Sequence, residues 1–109
     1  MSRMPKVNTL LQKNLSEIIA KHLELSSEAL VTVKRVKCSA DLKKATVFVS
    51  VLPFDKTEEV LSELINNRHN LKKFLGRKIK IKYTPELNFR LDKSEKMAEE
   101  VFATLDHLE

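Results

Sequence analysis

Two stretches of the chain alternate apolar and polar side chains from one residue to the next, and they require a fold that contains a sheet. Residues 45–51 place alanine and valine on one parity and threonine, phenylalanine and serine on the other. Residues 77–91 keep the same alternation over a greater length. This period is that of a strand with one buried face. Because a straight strand over 77–91 would be roughly 50 Å long, we expect Pro85 to bend it.

The remaining long segments repeat their apolar residues every three to four positions, which predicts helices. Residues 5–23 carry one such stripe and residues 94–108 carry another. A further helix begins at Asp55, and a helical face resumes after the polar run 66–70. Gly76 fits the end of this second segment. The pattern predicts two helices here, joined by a kink or a tight turn.

The first strand is predicted over residues 31–38, where the apolar parity changes part-way along. A one-residue bulge near Lys34 and Arg35 would reconcile its two halves. Residues 39–43 form the hairpin connection to the next strand, and Asp41 can accept backbone hydrogen bonds there. The predicted order is therefore helix–strand–strand–helix–helix–strand–helix.

The composition indicates a globular chain of one domain, residues 1–109, with helix 94–108 as an appendage. Of its 109 residues, 42% are apolar and 32% are charged, which excludes a disordered tail. No apolar run approaches the roughly 18 residues of a transmembrane helix, and the first residues lack the apolar stretch of a signal peptide. The single cysteine, Cys38, favours a reducing compartment. We therefore expect a cytoplasmic protein without a membrane partner.

The net charge of +5 is concentrated in two blocks. Residues 31–53 carry a net charge of +4 and residues 77–92 carry +3, whereas the last 17 residues carry −3. The two basic blocks are also the most strand-like parts of the chain. Localised positive charge of this kind indicates a polyanionic partner. The alternative is a solvated surface whose lysines serve solubility.

The residues that could carry catalysis do not form a recognisable site. The three histidines lie in different predicted segments, without an acid or thiol at ligand or triad spacing. Cys38 lies inside a strand, where a cysteine usually acts as a small hydrophobic residue. Glu99 and Glu100 are neighbours on a helix, so their carboxylates point about 100° apart. A single glycine excludes a glycine-rich nucleotide loop. We expect no enzyme, no cofactor and no metal.

Two sequence blocks resemble the signatures of the ribosome-binding factor A family. The first is VTVKRVKCSADLKKATVFVS, residues 31–50, in which a strand, an Asp-Leu turn and a basic residue lead into Val-x-Val-Ser. The second runs from Leu75-Gly76 through a basic stretch to Pro85-Glu86-Leu87-x-Phe89-x-x-Asp92-x-Ser94. Together with the N-terminal helix, these blocks cover nearly the whole chain.

The chain also departs from the family pattern at three places. Ala40 stands where the family usually has proline, and residues 24–30 lack the common Asp-Pro. The small-x-Gly kink of the family falls on Arg68-His69-Asn70. Because asparagine tolerates a left-handed backbone better than other non-glycine residues, Asn70 can make the turn.

The resemblance implies an α+β fold of the type II KH-like class. This fold has a three-stranded mixed sheet, a helix–kink–helix in place of a Gly-x-x-Gly loop, and N- and C-terminal helices. The resemblance also implies a bacterial factor that binds the immature small ribosomal subunit and 16S ribosomal RNA. Such a factor supports processing of the 5′ region of that RNA, especially at low temperature. We expect a monomer that binds the free 30S subunit and not the 70S ribosome.

The predicted RNA-binding surface combines the kink with the edges of the strands. Lys78, Lys80 and Lys82 would project from one side of the strand over 77–91, although such a row could instead protect a sheet edge from aggregation. Lysine suits contact with the phosphate backbone better than the reading of base edges. For Phe48 and Tyr83 we favour burial in the core over stacking on bases. The predicted RNA-binding residues are Arg35, Lys37, Lys43, Lys44, Arg68, Asn70, Lys72, Lys73, Arg77, Lys78, Lys80, Lys82 and Arg90.

Two other classes of function fit the same composition. One is a basic RNA- or DNA-binding module without a ribosomal role. The other is a protein-interaction module that docks through its acidic helix over residues 94–109. A helix-turn-helix is disfavoured because residues 71–75, Leu-Lys-Lys-Phe-Leu, are too short and too apolar to read bases.

Overall fold

The order of helices and strands is seen in a computed structural model, which describes residues 4–25, 28–80 and 83–92. The predicted order is confirmed over these residues, and the predicted helix 94–108 lies outside them. Within these ranges, no helix combines the length and apolar character needed to cross a membrane. The elements are α1 (Met4–His22), β1 (Leu30–Cys38), β2 (Lys44–Leu52), a 3₁₀ turn (Phe54–Lys56), α2 (Thr57–Asn66), α3 (Arg68–Ile79) and β3 (Glu86–Leu91).

The three strands form one mixed sheet with β2 in the centre. β1 pairs with β2 in antiparallel fashion, and β3 pairs with the other edge of β2 in parallel fashion. The register between β1 and β2 shifts between Val33 and Arg35, which confirms the predicted bulge. The shift returns Val36 and Cys38 to the buried parity, so both halves of β1 place side chains in the core, Val33 before the bulge and Val36 and Cys38 after it.

The helices cover one face of this sheet. α1 packs against β1 and α3, whereas α2 packs against β2 and β3. The residues of β2 alternate between full burial, as at Val47 and Val49, and half-burial, as at Phe48. The largest fully buried helical side chains all point at this face: Leu11, Leu15, Val60, Leu64, Leu71 and Leu75.

The prediction of a strand that begins at residue 77 is wrong. α3 continues to Ile79, and among the described residues of this stretch the strand is Glu86–Leu91. Leu71, Leu75 and Ile79 are spaced by four residues and all pack toward the core, so burial favours continuation of the helix. Pro85, which is buried, directly precedes β3. The predicted lysine ribbon therefore does not exist in this form.

The kink between the paired helices lies at Asn67 and not at Asn70. Asn67 has φ −100° and ψ 6°, and it separates the last residue of α2 from the first residue of α3. Its side-chain amide donates a hydrogen bond of 2.7 Å to the carbonyl of Glu63. Asn70 lies inside α3. Among the described residues, only Leu42 (φ 61°) and Lys80 (φ 48°) are left-handed, so the prediction of a left-handed Asn70 is wrong.

Candidate nucleic-acid interface

The third helix is the most basic element among those described. α3 carries five lysines and arginines and no aspartate or glutamate, and Lys80, which follows it directly, adds a sixth cation. The preceding helix has the opposite composition, with three glutamates and no basic residue. Acid-free basic segments create a positive potential that attracts polyanions. This helix is therefore the starting point for a nucleic-acid interface.

Helical geometry separates the buried and exposed residues of α3. Leu71 and Leu75 are buried against the core. Asn70, Lys73 and Arg77 follow one another at three- and four-residue spacing, and all three are exposed. They therefore form one stripe that faces away from the core. A stripe of this length can follow a phosphate backbone over roughly two helical turns, about 11 Å.

The start of α3 adds backbone donors to this stripe. The first N–H groups of a helix have no intrahelical partner. Asn67 makes no side-chain cap hydrogen bond to α3, and its amide nitrogen donates instead to the Glu63 carbonyl. Arg68, His69 and Asn70, which carry these N–H groups, are exposed. The positive end of the helix dipole and the Arg68 cation thus lie together, which suits an anion.

The end of α3 is held by a close approach of the following segment. The Lys80 N–H donates to the Gly76 carbonyl at 3.1 Å, and Lys80 takes the left-handed conformation that ends many helices. Gly76 does not end the helix as predicted. Its lack of a side chain makes room for Thr84, whose hydroxyl oxygen would lie 2.6 Å from a β-carbon at that position. Gly76 and Thr84 together fix where Lys80 emerges.

Lys78 has a partner within the protein. Its ammonium group forms an ion pair and hydrogen bond with the carboxylate of Glu17 on α1. The pKa of Glu17 lies below its ordinary value, first because of the hydrogen bond from Lys78 and then because of the positive charge of that group. Lys78 thus joins α3 to α1 and is less available to RNA than its neighbours on the exposed stripe.

Three further lysines meet at a groove beside α3. Lys72, Lys43 and Lys44 line one groove of about 880 Å³, whose floor is formed by apolar residues of α1 and α3. Asp41 and Glu86 also line it, so its rim carries both signs of charge. Because Lys72 belongs to α3, this groove continues the basic surface of the helix toward the β1–β2 hairpin.

The hairpin lysines are positioned by the turn that was predicted around Asp41. The Asp41 carboxylate accepts hydrogen bonds from the Ser39 hydroxyl at 2.6 Å and from the Lys43 N–H at 3.0 Å. These bonds, the Ser39 bond foremost, lower the pKa of Asp41. Leu42 takes the left-handed conformation that the turn requires. The turn prediction is confirmed.

The remaining predicted residues lie on the opposite side of the sheet. Arg35, Lys37 and Arg90 are exposed and share the face that the helices leave uncovered. Phe48 lies on this face as well, half-buried and outside the core. The expectation that Phe48 would be buried in the core is therefore wrong, although its parity along β2 had already separated it from Val47 and Val49. Tyr83 is 74% exposed, so its predicted burial is wrong as well.

The structure thus divides the predicted site in two and leaves Lys82 outside the described residues. We call the first part the helical surface: Arg68, Asn70, Lys72, Lys73, Arg77 and Lys80 of α3 and its end, with Lys43 and Lys44 across the groove. The second part, on the uncovered face of the sheet, holds Arg35, Lys37 and Arg90. Lys78 belongs to neither because it is paired with Glu17.

Cys38 does not form part of a reactive site. It is buried, and burial, followed by the nearby Asp41 charge, raises the pKa of its thiol. A thiol of this kind is a poor nucleophile at neutral pH. Within the described ranges, no three His, Cys, Asp or Glu side chains lie close enough together to hold a metal ion.

Comparison with known proteins decides the family. The family described as ribosome-binding factor A matches residues 3–105. This chain belongs to the ribosome-binding factor A family. Ribosome-binding factor A of Ruegeria pomeroyi is 35% identical over 95 residues, an alignment that covers 84% of this chain and 72% of the relative. The family is named for binding and not for a reaction.

Solved structures of the family share the fold. The crystal structure of ribosome-binding factor A from Thermus thermophilus superposes with a TM-score of 0.72 at 24% identity, covering 84% of this chain and 97% of that one. A homology model of the Thermus thermophilus protein, fitted into a cryo-EM map of a 30S–RbfA complex, superposes with a TM-score of 0.67 at 25% identity. It covers 79% of this chain and 91% of that one. The α+β, KH-like fold class is confirmed.

Proposed function

We propose that this protein binds the immature small ribosomal subunit through 16S ribosomal RNA and supports maturation of the subunit. The observation that carries the proposal is the acid-free α3, which exposes the cations Lys73 and Arg77 and whose N-terminal N–H groups have no side-chain cap. Family membership supports it, as does similarity to a protein that was placed in a 30S complex. We propose further that the protein binds the free subunit and not the 70S ribosome. It acts in the cytoplasm and as a monomer.

The chemistry of the helical surface favours recognition of the RNA backbone. Lysine ammonium groups act as point charges, which suit phosphates and carry no information about the base sequence. Specificity for the small subunit then comes from the shape of the folded RNA. Support for processing of the 5′ region of 16S ribosomal RNA, and a greater need for the protein in the cold, follow as parts of the same proposal.

A DNA-reading helix-turn-helix fits this structure poorly. In that motif the two helices are joined by a turn of about three or four residues, whereas α2 and α3 are separated by Asn67 alone. A recognition helix also presents several side chains that read base edges, whereas the exposed stripe of α3 contains a single amide, Asn70, beside Lys73 and Arg77. A general RNA-binding role is the remaining competitor, and it predicts equal affinity for any folded RNA.

Co-sedimentation tests the proposal. The tagged full-length protein is mixed with purified 30S subunits, 70S ribosomes, an unrelated folded RNA or duplex DNA, and is then centrifuged through sucrose. We expect recovery with 30S subunits and little with the other three. Equal recovery with the unrelated RNA or with DNA would replace the proposal by a general nucleic-acid-binding role.

A charge-matched pair of variants assigns the interaction to a surface. Lys73→Gln with Arg77→Gln removes two charges from the exposed stripe, and Lys13→Gln with Lys21→Gln removes two from exposed positions of α1. Hydrogen bonds to charged groups contribute about 1.5 kcal/mol or more each, so loss of the two contacts of the first pair should weaken 30S binding at least about 100-fold. The second pair should have little effect. Equal effects would show that only the net charge matters.

A further inference from the structure

The face of the sheet opposite the helices is chemically distinct from the helical surface. Along β2, Thr46, Phe48 and Ser50 point away from the core, and each is half-buried by its strand neighbours. Among the described residues, α1, α2 and α3 all pack on the other face. We call this second face the open sheet face. Its central members are Thr32, Arg35, Lys37, Thr46, Phe48, Ser50, Asn88 and Arg90. The exposed pair Leu30 and Leu52 lies at one end of the same face, and the pair Lys44 and Glu86 lies at the other end.

Phe48 lies at the centre of the open sheet face, between two arginines. It is paired with Arg35 of β1 on one side and with Arg90 of β3 on the other. Neighbouring strands are about 4.8 Å apart, so the three side chains form one row across the sheet. The guanidinium carbon of Arg35 lies 4.1 Å from the centroid of the Phe48 ring, which is a cation–π contact.

The composition of this face indicates the class of ligand that it fits. Its eight central members provide three cations, one aromatic ring, hydroxyl groups and an amide, and none of these eight is acidic. The acidic Glu86 lies at the end of the face, paired with Lys44. Phe48 is the one apolar side chain among the central members, because the exposed leucines Leu30 and Leu52 lie at the end of the face, four residues along β2 from Phe48. Single-stranded nucleic acid needs cations for its phosphates and flat surfaces for its bases, and aromatic rings and guanidinium planes both supply such surfaces.

We propose that the open sheet face binds an unpaired segment of RNA, with a base stacked on the Phe48–Arg35 pair. Arg35 is exposed, so a base can extend the stack that its guanidinium group forms with the ring. Lys37 and Arg90 contact the flanking phosphates. The inference rests on the proposed function, in that the RNA is an unpaired segment of the small-subunit ribosomal RNA.

The spacing of the face suits a short segment. Residues two apart on one strand are separated by about 6.6 Å, so the row of Lys37, Thr46 and Asn88 lies one such step from the row of Phe48. This step is close to the distance between successive phosphates of an extended single strand. The face therefore accommodates about two nucleotides, one stacked and one held through its phosphate and by the Asn88 amide.

Short oligonucleotides test the inference separately from subunit binding. Fluorescence anisotropy measures the affinity of the full-length protein for a labelled eight-nucleotide adenosine RNA and for an abasic chain of equal length and charge. The variants are Phe48→Leu, which removes the ring, and Phe48→Tyr, which retains it. A melting curve for each variant checks the fold. Stacking of one base contributes about 1–3 kcal/mol by truncation of the aromatic residue, which corresponds to a loss of roughly fivefold to 150-fold.

The inference predicts that Phe48→Leu weakens adenosine RNA binding at least about fivefold and leaves abasic binding unchanged, while Phe48→Tyr binds as the wild type does. Arg35→Lys, which keeps the charge and loses the plane, should also weaken adenosine RNA binding selectively. Equal losses for both oligonucleotides, or no loss in Phe48→Leu, would overturn it. If Phe48→Leu instead weakens 30S binding while the wild type ignores single strands, the face contacts a ribosomal protein. If the helical surface proves not to bind the 30S subunit, these oligonucleotide results are unaffected, so the two proposals can fail separately.

Discussion

Replacing Gly76 by alanine tests how α3 is joined to the segment that leads into β3. In an ordinary helix this change stabilises the protein by about 0.5–1 kcal/mol, because glycine loses more backbone entropy than alanine. Here the new β-carbon would lie 2.6 Å from the Thr84 hydroxyl oxygen but 3.8 Å from the Thr84 β-carbon. The first distance is a clash and the second is an ordinary contact. We therefore expect the sign of the effect to depend on residue 84.

The magnitude follows from the two opposing contributions. Overpacking typically costs about 1–3 kcal/mol, so Gly76→Ala alone should lower the free energy of unfolding by about 1 kcal/mol. In a Thr84→Ala background the clash is absent, and Gly76→Ala should raise this free energy by roughly 0.5–1 kcal/mol. The coupling between the two sites is then about 1.5–2 kcal/mol, within the range seen for contacting residues.

Urea unfolding followed by far-ultraviolet circular dichroism measures all four proteins of this cycle. The wild type, both single variants and the double variant should share one m-value, so that midpoints report stability alone. A Gly76→Ala change that stabilises the protein equally in both backgrounds would refute the reasoning. It would mean that Thr84 does not pack on α3.

Three further predictions concern single side chains. Lys80→Gly should raise the free energy of unfolding by about 1 kcal/mol in urea titrations, because a left-handed residue is strained unless it is glycine. The same change should weaken 30S binding, since it removes a cation of the helical surface. A loss of stability would contradict the left-handed conformation of Lys80. Cys38 should react with Ellman's reagent at pH 8 much more slowly in the native protein than in urea, since burial raises the pKa of its thiol; equal rates would show that it is accessible. Because the pKa of Glu17 is lowered from its ordinary value of 4.5 in the folded protein, its pairing with Lys78 stabilises the fold above that value and is lost as the pH falls through the folded pKa. The difference in melting temperature between the wild type and Glu17→Gln should therefore be positive at neutral pH and shrink as the solution is acidified from about pH 5 to about pH 3; a constant difference would argue against the ion pair.

Much of the fold could be predicted because local periodicity and burial agree. In α1, in β2 and in β1, apolar residues recur at the spacing that puts them on the side of the element facing the core. This spacing predicts the apolar stripe of α1, the alternation along β2 and the bulge between Val33 and Arg35. The parity of β2 also contained the signal that Phe48 lies outside the core. That signal was outweighed by the general tendency of phenylalanine to be buried.

The end of α3 could not be predicted from the pattern alone. Ile79 continues both the alternation of the following residues and the four-residue spacing of Leu71 and Leu75. Only packing against the core decides between the two periods, and it favours the helix. The position of the kink could not be predicted for a similar reason. Asparagine has the same conformational propensities at positions 67 and 70, and only the folded backbone shows that the kink lies at Asn67.

The helical surface depends on the extent of α3. A strand from residue 77 would have placed Lys78, Lys80 and Lys82 in one row, whereas the helix pairs Lys78 with Glu17 and sets Arg77 beside Lys73. The basic character of the segment was therefore visible in the sequence. Its arrangement into an exposed stripe was not.

The salt dependence of 30S binding measures most directly whether α3 neutralises phosphates. The logarithm of affinity falls linearly with the logarithm of salt concentration, by about 0.7 to 0.9 for each phosphate contact. The Lys73→Gln, Arg77→Gln variant should therefore have a slope that is smaller by about 1.4 to 1.8. The Lys13→Gln, Lys21→Gln control should keep the wild-type slope. Parallel lines for the wild type and the Lys73/Arg77 variant would show that α3 does not touch the RNA backbone.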